Sequence, residues 1–271
     1  MAFWDKLGTS GNVEDRRGAG PLTGGIGIWA TLGVMVLGLL GINADPRLVE
    51  TLLALAGVGT NQVSTAPGDG KKDGYAEFAS SIIGSTDQFW TSQLSGEGAT
   101  YKKPRMVLFR GATQSGCGIA NSETGPHYCP VDQTIYLDET FFEVLERQLG
   151  GSKGDVAQSY VMAHEVGHHV QNQLGALTSS RSNSDSVKTE LQADCYAGLW
   201  ARSVRDKGIF ENENEINEAL SAASAVGDDR IQEKTSGKVN PETWTHGSAK
   251  DRKDSFLKGY ESTSFKTCLE V

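Results

Sequence analysis

Two histidines and a glutamate within residues 164–168 form the pattern His-Glu-x-x-His, whose spacing suits a metal site on a helix. Positions i and i+4 lie on one face of an α-helix, so His164 and His168 can both direct a ring nitrogen at one zinc ion. Glu165 lies about 100° around the helix from His164, beside that ion. The spacing therefore predicts two zinc ligands and a general base that deprotonates a zinc-bound water.

A second acidic pair completes the predicted site. Glu190 follows His168 by 22 positions, and Asp194 lies one helical turn beyond it. Because catalytic zinc usually keeps three protein ligands and one open position, we expect Glu190 to be the third ligand to a single Zn²⁺ per chain. Asp194 is then placed to accept the second ring N–H of His164 and so fix its tautomer. In the alternative assignment, Asp194 is the third zinc ligand and Glu190 lies outside the ligand shell. A coincidental match on a surface helix is disfavoured by this second motif.

A zinc-activated water that attacks a carbonyl group also needs a donor that stabilises the resulting oxyanion. His246 lies in a loop-like Thr-His-Gly-Ser segment, from which its side chain could reach a cleft, although a packing or capping role is equally compatible. Tyr196 is a second candidate, but its position favours the core. His169 adjoins a predicted ligand and is expected to be structural. His246 is therefore the predicted second catalytic residue beside Glu165.

Apolar spacing and cap residues predict the elements that carry these side chains. A helix over 156–174 begins after the capping pair Asp155 and Gln158, stops at Gly175 and carries the two histidines. A helix over 187–207 carries both acidic residues. The other predicted elements are a helix over 75–94, strands over 106–109 and 133–138, a helix capped by Asn212 and Glu215, and a helix over 249–260.

Residues 24–42 contain no charged side chain and form one hydrophobic run. At 1.5 Å per residue, a helix of this length spans about 28 Å, close to the hydrocarbon core of a bilayer. The run predicts an uncleaved transmembrane anchor that contacts the lipid bilayer. A cleaved signal peptide fits less well, because the preceding polar segment is long and no small-x-small site follows the run. A helix buried in a soluble domain also fits less well, because a run this uniformly apolar has no polar face.

The cationic residues near the run predict its orientation. Lys6, Arg16 and Arg17 precede it, and only Arg47 lies close after it. The positive-inside rule then places the N-terminus in the cytoplasm and the large domain in the periplasm or outside the cell. The sequence thus predicts a single-pass membrane protein, and the family resemblance given below implies a bacterial inner membrane.

The chain divides into four predicted regions. A second apolar stretch, residues 48–58, is too short to cross again; it could lie along the membrane surface, pack against a partner helix or pack on its own domain. The regions are a flexible cytoplasmic N-terminus over 1–23, a transmembrane helix over 24–42, a membrane-proximal helix and linker over 43–74, and a catalytic domain over 75–271.

The chain has four cysteines, and an even number of cysteines is typical of disulfide-bonded domains outside the cytoplasm. The cysteines therefore support an extracytoplasmic domain. Three pairings are possible. Cys117 with Cys129 would close a short glycine-rich loop and is the preferred pair, which leaves Cys195 with Cys268. Four buried free thiols are the alternative.

The charge balance excludes one class of partner. The net charge is −9, and the sequence has no block of basic residues. Since binding to phosphates requires clustered Lys and Arg, we expect no nucleic-acid partner.

Several segments carry a resemblance to a known family. HEVGHHVQ at 164–171 and ELQADCYAG at 190–198 resemble the Glu-zincin type of zincin metallopeptidases. With the apolar anchor, the whole chain looks like the neutral zinc metallopeptidase family of bacterial membrane-anchored proteins. The further supporting segments are CGIANSETGPHYCPVDQTIYLD at 117–138 and WTHGSAKDR at 244–252.

This resemblance implies a zincin-like α+β fold, in which a small sheet packs on the active-site helix. It also implies that His164, His168 and Glu190 bind zinc and that Glu165 is catalytic. The extended pattern of the three-histidine zincins requires glycine at position 171, where this chain has Gln171, so that class is excluded.

The predicted function is zinc-dependent hydrolysis of peptide bonds in a protein or peptide substrate. The strand over 133–138 could pair with an extended peptide if it lies at a sheet edge, or it could be an interior strand. The alternative function is a membrane-tethered binding or scaffolding module that is stabilised by zinc and has no turnover. The presence of Glu165 argues for the enzyme.

Overall fold

The computed structural model describes residues 3–18, 73–177, 182–207 and 213–271. They form a mixed α+β fold with one small sheet, one β-hairpin and helices on the sheet, which is the predicted fold class. The predicted transmembrane helix over 24–42, the membrane-proximal stretch over 48–58 and the cap at Asn212 lie outside the described residues. No described helix is both long and apolar enough to cross a membrane.

A four-stranded sheet forms one layer of the domain, in the order β1-β2-β6-β5. Strands β1, β2 and β6 run parallel, and β5 is antiparallel to β6. The two central strands are buried along nearly their whole length, as covering on both faces requires. The strands of this sheet are β1 Val13–Asp15, β2 Arg105–Phe109, β5 His127–Cys129 and β6 Thr134–Asp138.

A short hairpin, β3 Ala112–Ser115 with β4 Gly118–Asn121, connects the second and fifth strands. The sequence predicted only a glycine-containing loop here. Gly118 has a φ of +119°, a conformation that side-chain-bearing residues rarely adopt, and it follows the tight turn of the hairpin.

Seven α-helices are present in the described residues. The third, α3, forms the centre of the domain and packs against α1, α4, α5 and strand β5. The helices are α1 Tyr75–Ser95, α2 Phe141–Arg147, α3 Asp155–Gln173, α4 Asn183–Asp206, α5 Glu213–Ala225, α6 Asp228–Ser236 and α7 Ala249–Tyr260.

The core lies between the sheet and these helices. Trp90 of α1, Trp200 of α4 and Phe256 of α7 are almost completely buried in it. Trp90 packs edge-on against Tyr196, with ring centroids 5.0 Å apart. Tyr196 is fully buried and therefore serves the core, as its position in the sequence favoured.

Both disulfides form in the preferred pairing. Cys117 is bonded to Cys129, which ties the hairpin to edge strand β5. Cys195 of α4 is bonded to Cys268, which fixes the C-terminal segment beside the active-site helices. All four cysteines are thus covalently paired.

The N-terminal segment differs from its prediction as a flexible tail. Residues 13–15 form edge strand β1, and a 3-10 helix, Phe3–Lys6, packs near the start of α1. The low apolar content of residues 1–23 suggested flexibility, but residues 3–17 are held by pairing with β2 and by ion pairs of Arg17 with Asp73 and Glu139. Those contacts join residues that are far apart in the chain, so local composition does not reveal them.

Strand β6, the strand predicted over 133–138, is an interior strand. It pairs with β2 on one side and β5 on the other, so its edges are occupied. In the part of the chain that the structure describes, the strand with an unpaired edge beside α3 is β5, a three-residue element that is too short to show a clear alternation.

Candidate active site

Helices α3 and α4 approach closely where the predicted ligands lie. A Cβ on Gly167 of α3 would lie 3.1 Å from both the Cα and the carbonyl oxygen of Ala193 in α4, so this crossing favours glycine. The close approach brings Glu190, one turn before Asp194, beneath the histidine face of α3. The His-Glu-x-x-His sequence thus supplies both the ligands and the small residue that lets the second helix reach them.

The three predicted ligands meet in space. His164 Nε2 lies 3.1 Å from one carboxylate oxygen of Glu190, and His168 Nε2 lies 3.4 Å from the other. One nitrogen or oxygen atom from each residue falls within a group whose members are at most 4.8 Å apart. This is the arrangement that a shared cation requires.

The second ring nitrogen of each histidine faces away from this group. His164 Nδ1 lies 2.8 Å from Asp194 Oδ1, the contact predicted for an orienting carboxylate. His168 Nδ1 lies 2.8 Å from the amide oxygen of Gln171. Because these partners accept the Nδ1 hydrogens, both Nε2 atoms are left to bind a metal.

The donor set fits zinc. Two imidazole nitrogens and one carboxylate form one of the common three-residue sets of catalytic zinc sites. A further observation concerns Glu165, which is 6% exposed and whose Oε2 is buried without a hydrogen-bond partner among the described residues. A buried carboxylate oxygen of this kind needs a polar partner, and a water molecule at an occupied metal site would satisfy it.

The electrostatics of the cluster favour a cation. Burial acts to lower the pKa of His164, but Asp194 and Glu190 outweigh burial and raise that pKa to about 10. Burial acts to raise the pKa of Glu190, yet His168 and His164 hold it well below its usual range. The carboxylates that retain a proton on the imidazoles would equally favour a divalent cation in place of that proton.

Arg252 of α7 belongs to the site, although no motif in the sequence predicted it. Its guanidinium donates to both carboxylate oxygens of Asp194, at 2.8 and 3.0 Å, and approaches the hydroxyl of Tyr160 at 3.3 Å. The Tyr160 hydroxyl also donates to Asp194. Burial would raise the pKa of Asp194, but Arg252 and His164 keep it below its ordinary value. Only the resemblance of the segment at 244–252 pointed towards Arg252.

A cavity of about 540 Å³ opens beside the cluster. One wall carries the functional side chains, and much of the remainder is apolar. The lining includes His164, Glu165, His168, Glu190, Tyr160, Arg252, His246, Tyr128, Phe141, Leu149, Val161, Leu177, Val226 and Ile231. This volume lies within the range of about 300–1,000 Å³ that is usual for ligand-binding pockets.

His246 lines this cavity, and its loop is held by Asp228. One carboxylate oxygen of Asp228 accepts the backbone N–H groups of Thr245, His246 and Gly247 at 2.7, 2.6 and 3.0 Å. The other lies 3.3 Å from His246 Nδ1. The side chain of His246 is 47% exposed, so the fixed loop presents its imidazole to the open cavity.

Edge strand β5 is fixed to α3 through Tyr128. The Tyr128 hydroxyl lies 3.0 Å from His169 Nδ1 and accepts from the amide of Asn172 at 2.9 Å. His169 is fully buried, and its Nε2 donates to the carbonyl of Lys102, so its role is structural, as expected. Burial lowers the pKa of His169, and the neutral ring suits this position.

A helix that carries two histidines, beside a second helix that contributes a carboxylate, defines the zincin class of site. The chain belongs to the family described as "Putative neutral zinc metallopeptidase", whose match covers residues 2–270.

Curated relatives of this chain are bacterial. The uncharacterized protein YpfJ of Escherichia coli (strain K12) is 38% identical over 286 residues, which cover 98% of this chain and 97% of the relative. The uncharacterized protein Rv2575 of Mycobacterium tuberculosis (strain H37Rv) is 48% identical over 198 residues, 68% of this chain and 66% of the relative. No solved structure matches the chain.

Proposed function

We propose that this protein is a zinc-dependent metalloendopeptidase. The observation that carries the proposal is the position of Glu165, a buried carboxylate beside the histidine–glutamate cluster, on the wall of an open cavity. A zinc site that served only stability would be closed by a fourth protein ligand and would need no adjacent base. Membership of the family supports the same class of activity.

His164, His168 and Glu190 would hold one Zn²⁺. Zinc bound there supplies Lewis acidity, which makes water nucleophilic near pH 7 and polarises a carbonyl group. Glu165 accepts the proton of the attacking water and delivers it to the leaving amine. His246 donates to the carbonyl oxygen as negative charge develops on it. Asp194 and Arg252 hold the His164 ring in the orientation that leaves its Nε2 directed at the site.

The proposed substrate is a protein or peptide in an extended conformation. Strand β5 has an edge that no other described strand pairs with, and its residues His127 and Tyr128 line the cavity. An extended peptide can add to such an edge through backbone hydrogen bonds, which give affinity with modest side-chain specificity. The disulfide at Cys129 and the contacts of Tyr128 hold this edge in place.

We also propose that the catalytic domain lies outside the bacterial cytoplasm. Both pairs of cysteines form disulfides, which persist in oxidising compartments and are rare in the cytosol.

The test compares the purified full-length chain with its Glu165→Gln variant on an unfolded protein such as casein. The variant should bind zinc in the same amount and lose at least about 100-fold of the hydrolysis rate, the usual contribution of a general base. A chelator should abolish wild-type hydrolysis, and added zinc should restore it. Glu143→Gln, which changes an exposed carboxylate of α2, is the matched control and should retain full activity.

Two results would contradict the proposal. Equal turnover by Glu165→Gln and wild type would remove Glu165 as the base. Stoichiometric zinc without any hydrolysis by the wild-type chain would instead favour the zinc-stabilised binding module.

A further inference from the structure

The N-terminal segment, residues 3–17, is an integral part of the catalytic domain. Strand β1 pairs with β2 in parallel register, Val13 opposite Met106 and Asp15 opposite Leu108. The pairing continues outside the strand, because the Met106 N–H donates to the carbonyl of Asn12 at 2.9 Å. The segment thus supplies one edge of the sheet whose other edge is β5.

A second set of contacts joins this segment to helix α1. The Ser10 N–H donates to the carbonyl of Ser80 at 2.9 Å, and the Ser80 hydroxyl donates back to the carbonyl of Ser10 at 2.6 Å. A Cβ on Gly84 would lie 2.3 Å from the carbonyl oxygen of Gly8, so the backbone of the segment rests directly on the helix. Only glycine at position 84 permits this approach.

A third contact joins Arg17, at the end of the N-terminal segment, to Asp73, which precedes helix α1. The side chain of Arg17 is completely buried and pairs with Asp15 at 2.7 Å, Asp73 at 3.0 Å and Glu139 at 3.2 Å. Arg17 and Asp73 are 56 positions apart in the chain. The contact holds Arg17 and Asp73 together at one place on the domain, although they are far apart in the sequence.

We infer that residues 3–17 and residues 73–271 lie on the same side of any membrane that this chain enters. The hydrogen bonds of 2.9 and 2.8 Å that join Asn12 and Arg16 to β2 cannot form across a hydrocarbon core about 30 Å thick. A single crossing between Arg17 and Asp73 is therefore incompatible with the fold. The orientation expected from the sequence, with the N-terminus inside and the domain outside, is such a single crossing.

The cations before the apolar run also make contacts that bear on that orientation. The positive-inside count relied on Lys6, Arg16 and Arg17. Arg16 pairs with Glu14 at 2.8 Å and donates to the Thr113 hydroxyl at 3.1 Å, and Arg17 is paired with three carboxylates. Two of the three cations therefore hold the folded domain together, and their presence before the apolar run no longer indicates a cytoplasmic end.

The first experiment asks whether Ser10 and Ser80 meet in the full-length chain in intact cells. The variant Ser10→Cys/Ser80→Cys places two thiols where the backbones are in hydrogen-bond contact, which is compatible with a disulfide. After oxidation with copper–phenanthroline and blocking of free thiols, mass spectrometry should find a tryptic peptide pair linked through positions 10 and 80. Ser10→Cys/Ser95→Cys is the matched control, because Ser95 lies about 22 Å further along α1 and should not link.

The second experiment does not depend on the formation of a disulfide. The wild-type chain has no free thiol, so the single variants Gly11→Cys and Val239→Cys each introduce one reporter. Gly11 has open space for a side chain, and Val239 is half exposed. A membrane-impermeant maleimide applied to spheroplasts should label both reporters or neither, and detergent should make both reactive.

These results are independent of peptidase activity, so they separate this inference from the proposed function. A 10–80 link without a 10–95 link, together with matched labelling, supports a shared side. Labelling of one reporter and protection of the other would overturn the inference, as would equal linking in the two cysteine pairs.

Discussion

Glu190 and Asp194 are both acids near His164, the first partly exposed and the second fully buried, and their surroundings give them different roles. Glu190 contacts the Nε2 atoms of both histidines and lines the cavity. Asp194 is completely buried, contacts only the Nδ1 of His164 among the predicted ligands, and is neutralised by Arg252. This geometry favours Glu190 as the third ligand and Asp194 as the carboxylate that orients His164.

We predict that Glu190→Gln lowers zinc affinity more than Asp194→Asn does. Loss of an orienting carboxylate typically costs 10- to 100-fold in metal affinity, about 1.4 to 2.7 kcal/mol, and loss of a direct ligand should cost more. Competition with a chromophoric chelator would measure both dissociation constants. Thermal unfolding of the chelated variants is the control, because Asp194→Asn also leaves Arg252 without its charged partner. The reverse order of affinities would support Asp194 as the ligand.

At the level of elements, the crossing of α4 and α7 sets the position of Arg252 relative to Asp194. A Cβ on Gly198 would lie 2.0 Å from the carbonyl oxygen of Phe256, and one on Gly259 would lie 1.9 Å from that of Cys195. Both distances are far below van der Waals contact, so the two backbones touch. Gly198 lies one turn after Asp194, and this contact therefore determines how closely the arginine can approach the acid.

We predict that Gly259→Ala destabilises the protein by about 3 kcal/mol or more, because the added methyl group must push the two helices apart. Denaturant unfolding of the full-length chain measures the change. Gly96→Ala is the matched control, since a Cβ there makes only ordinary contacts at 3.5 Å and should change stability by less than about 1 kcal/mol. An equal effect of the two substitutions would contradict the close crossing.

At the level of the whole molecule, Asp87 makes stability depend on pH away from the active site. Its side chain is 1% exposed, accepts from the Ser10 hydroxyl at 3.2 Å and lies 4.0 Å from the ammonium of Lys103. Burial raises the pKa of Asp87 to about 6, although Lys103 and Ser10 partly oppose it. Between about pH 4 and 6, the Asp87 carboxyl group is therefore protonated in the folded chain, whereas the same group has lost its proton in the unfolded chain. The protonated acid stabilises the fold at low pH, and this contribution disappears as the pH rises through 6.

We predict that Asp87→Asn, which mimics the neutral acid, gains stability relative to wild type as the pH rises from 4 to 7. The expected change in the difference between the two unfolding free energies is about 2 to 3 kcal/mol. Denaturant unfolding at a series of pH values measures it, with Glu123→Gln as a control for the loss of an exposed carboxylate. A difference that stays constant over this range would mean that Asp87 is charged in the folded protein throughout.

The main helices could be predicted from the sequence because their signals are local. The helix expected over 156–174 occurs as Asp155–Gln173, and that expected over 249–260 occurs as Ala249–Tyr260. The four-residue spacing of His164 and His168 was sufficient to place them on one face, since helical geometry alone relates them. Strand β5 escaped prediction because three residues are too few to show a pattern.

The sequence by itself determined the residues that can bind zinc and the helices that carry them, because periodicity and motif spacing are properties of neighbouring residues. Only the tertiary structure decided that Arg252 holds Asp194, that β5 rather than β6 is an edge strand of the described sheet, and that β1 forms the opposite edge. Each of these depends on contacts between segments far apart in the chain, such as the pair of Arg17 and Asp73. The packing of the complete core selects such contacts, and no local pattern encodes them.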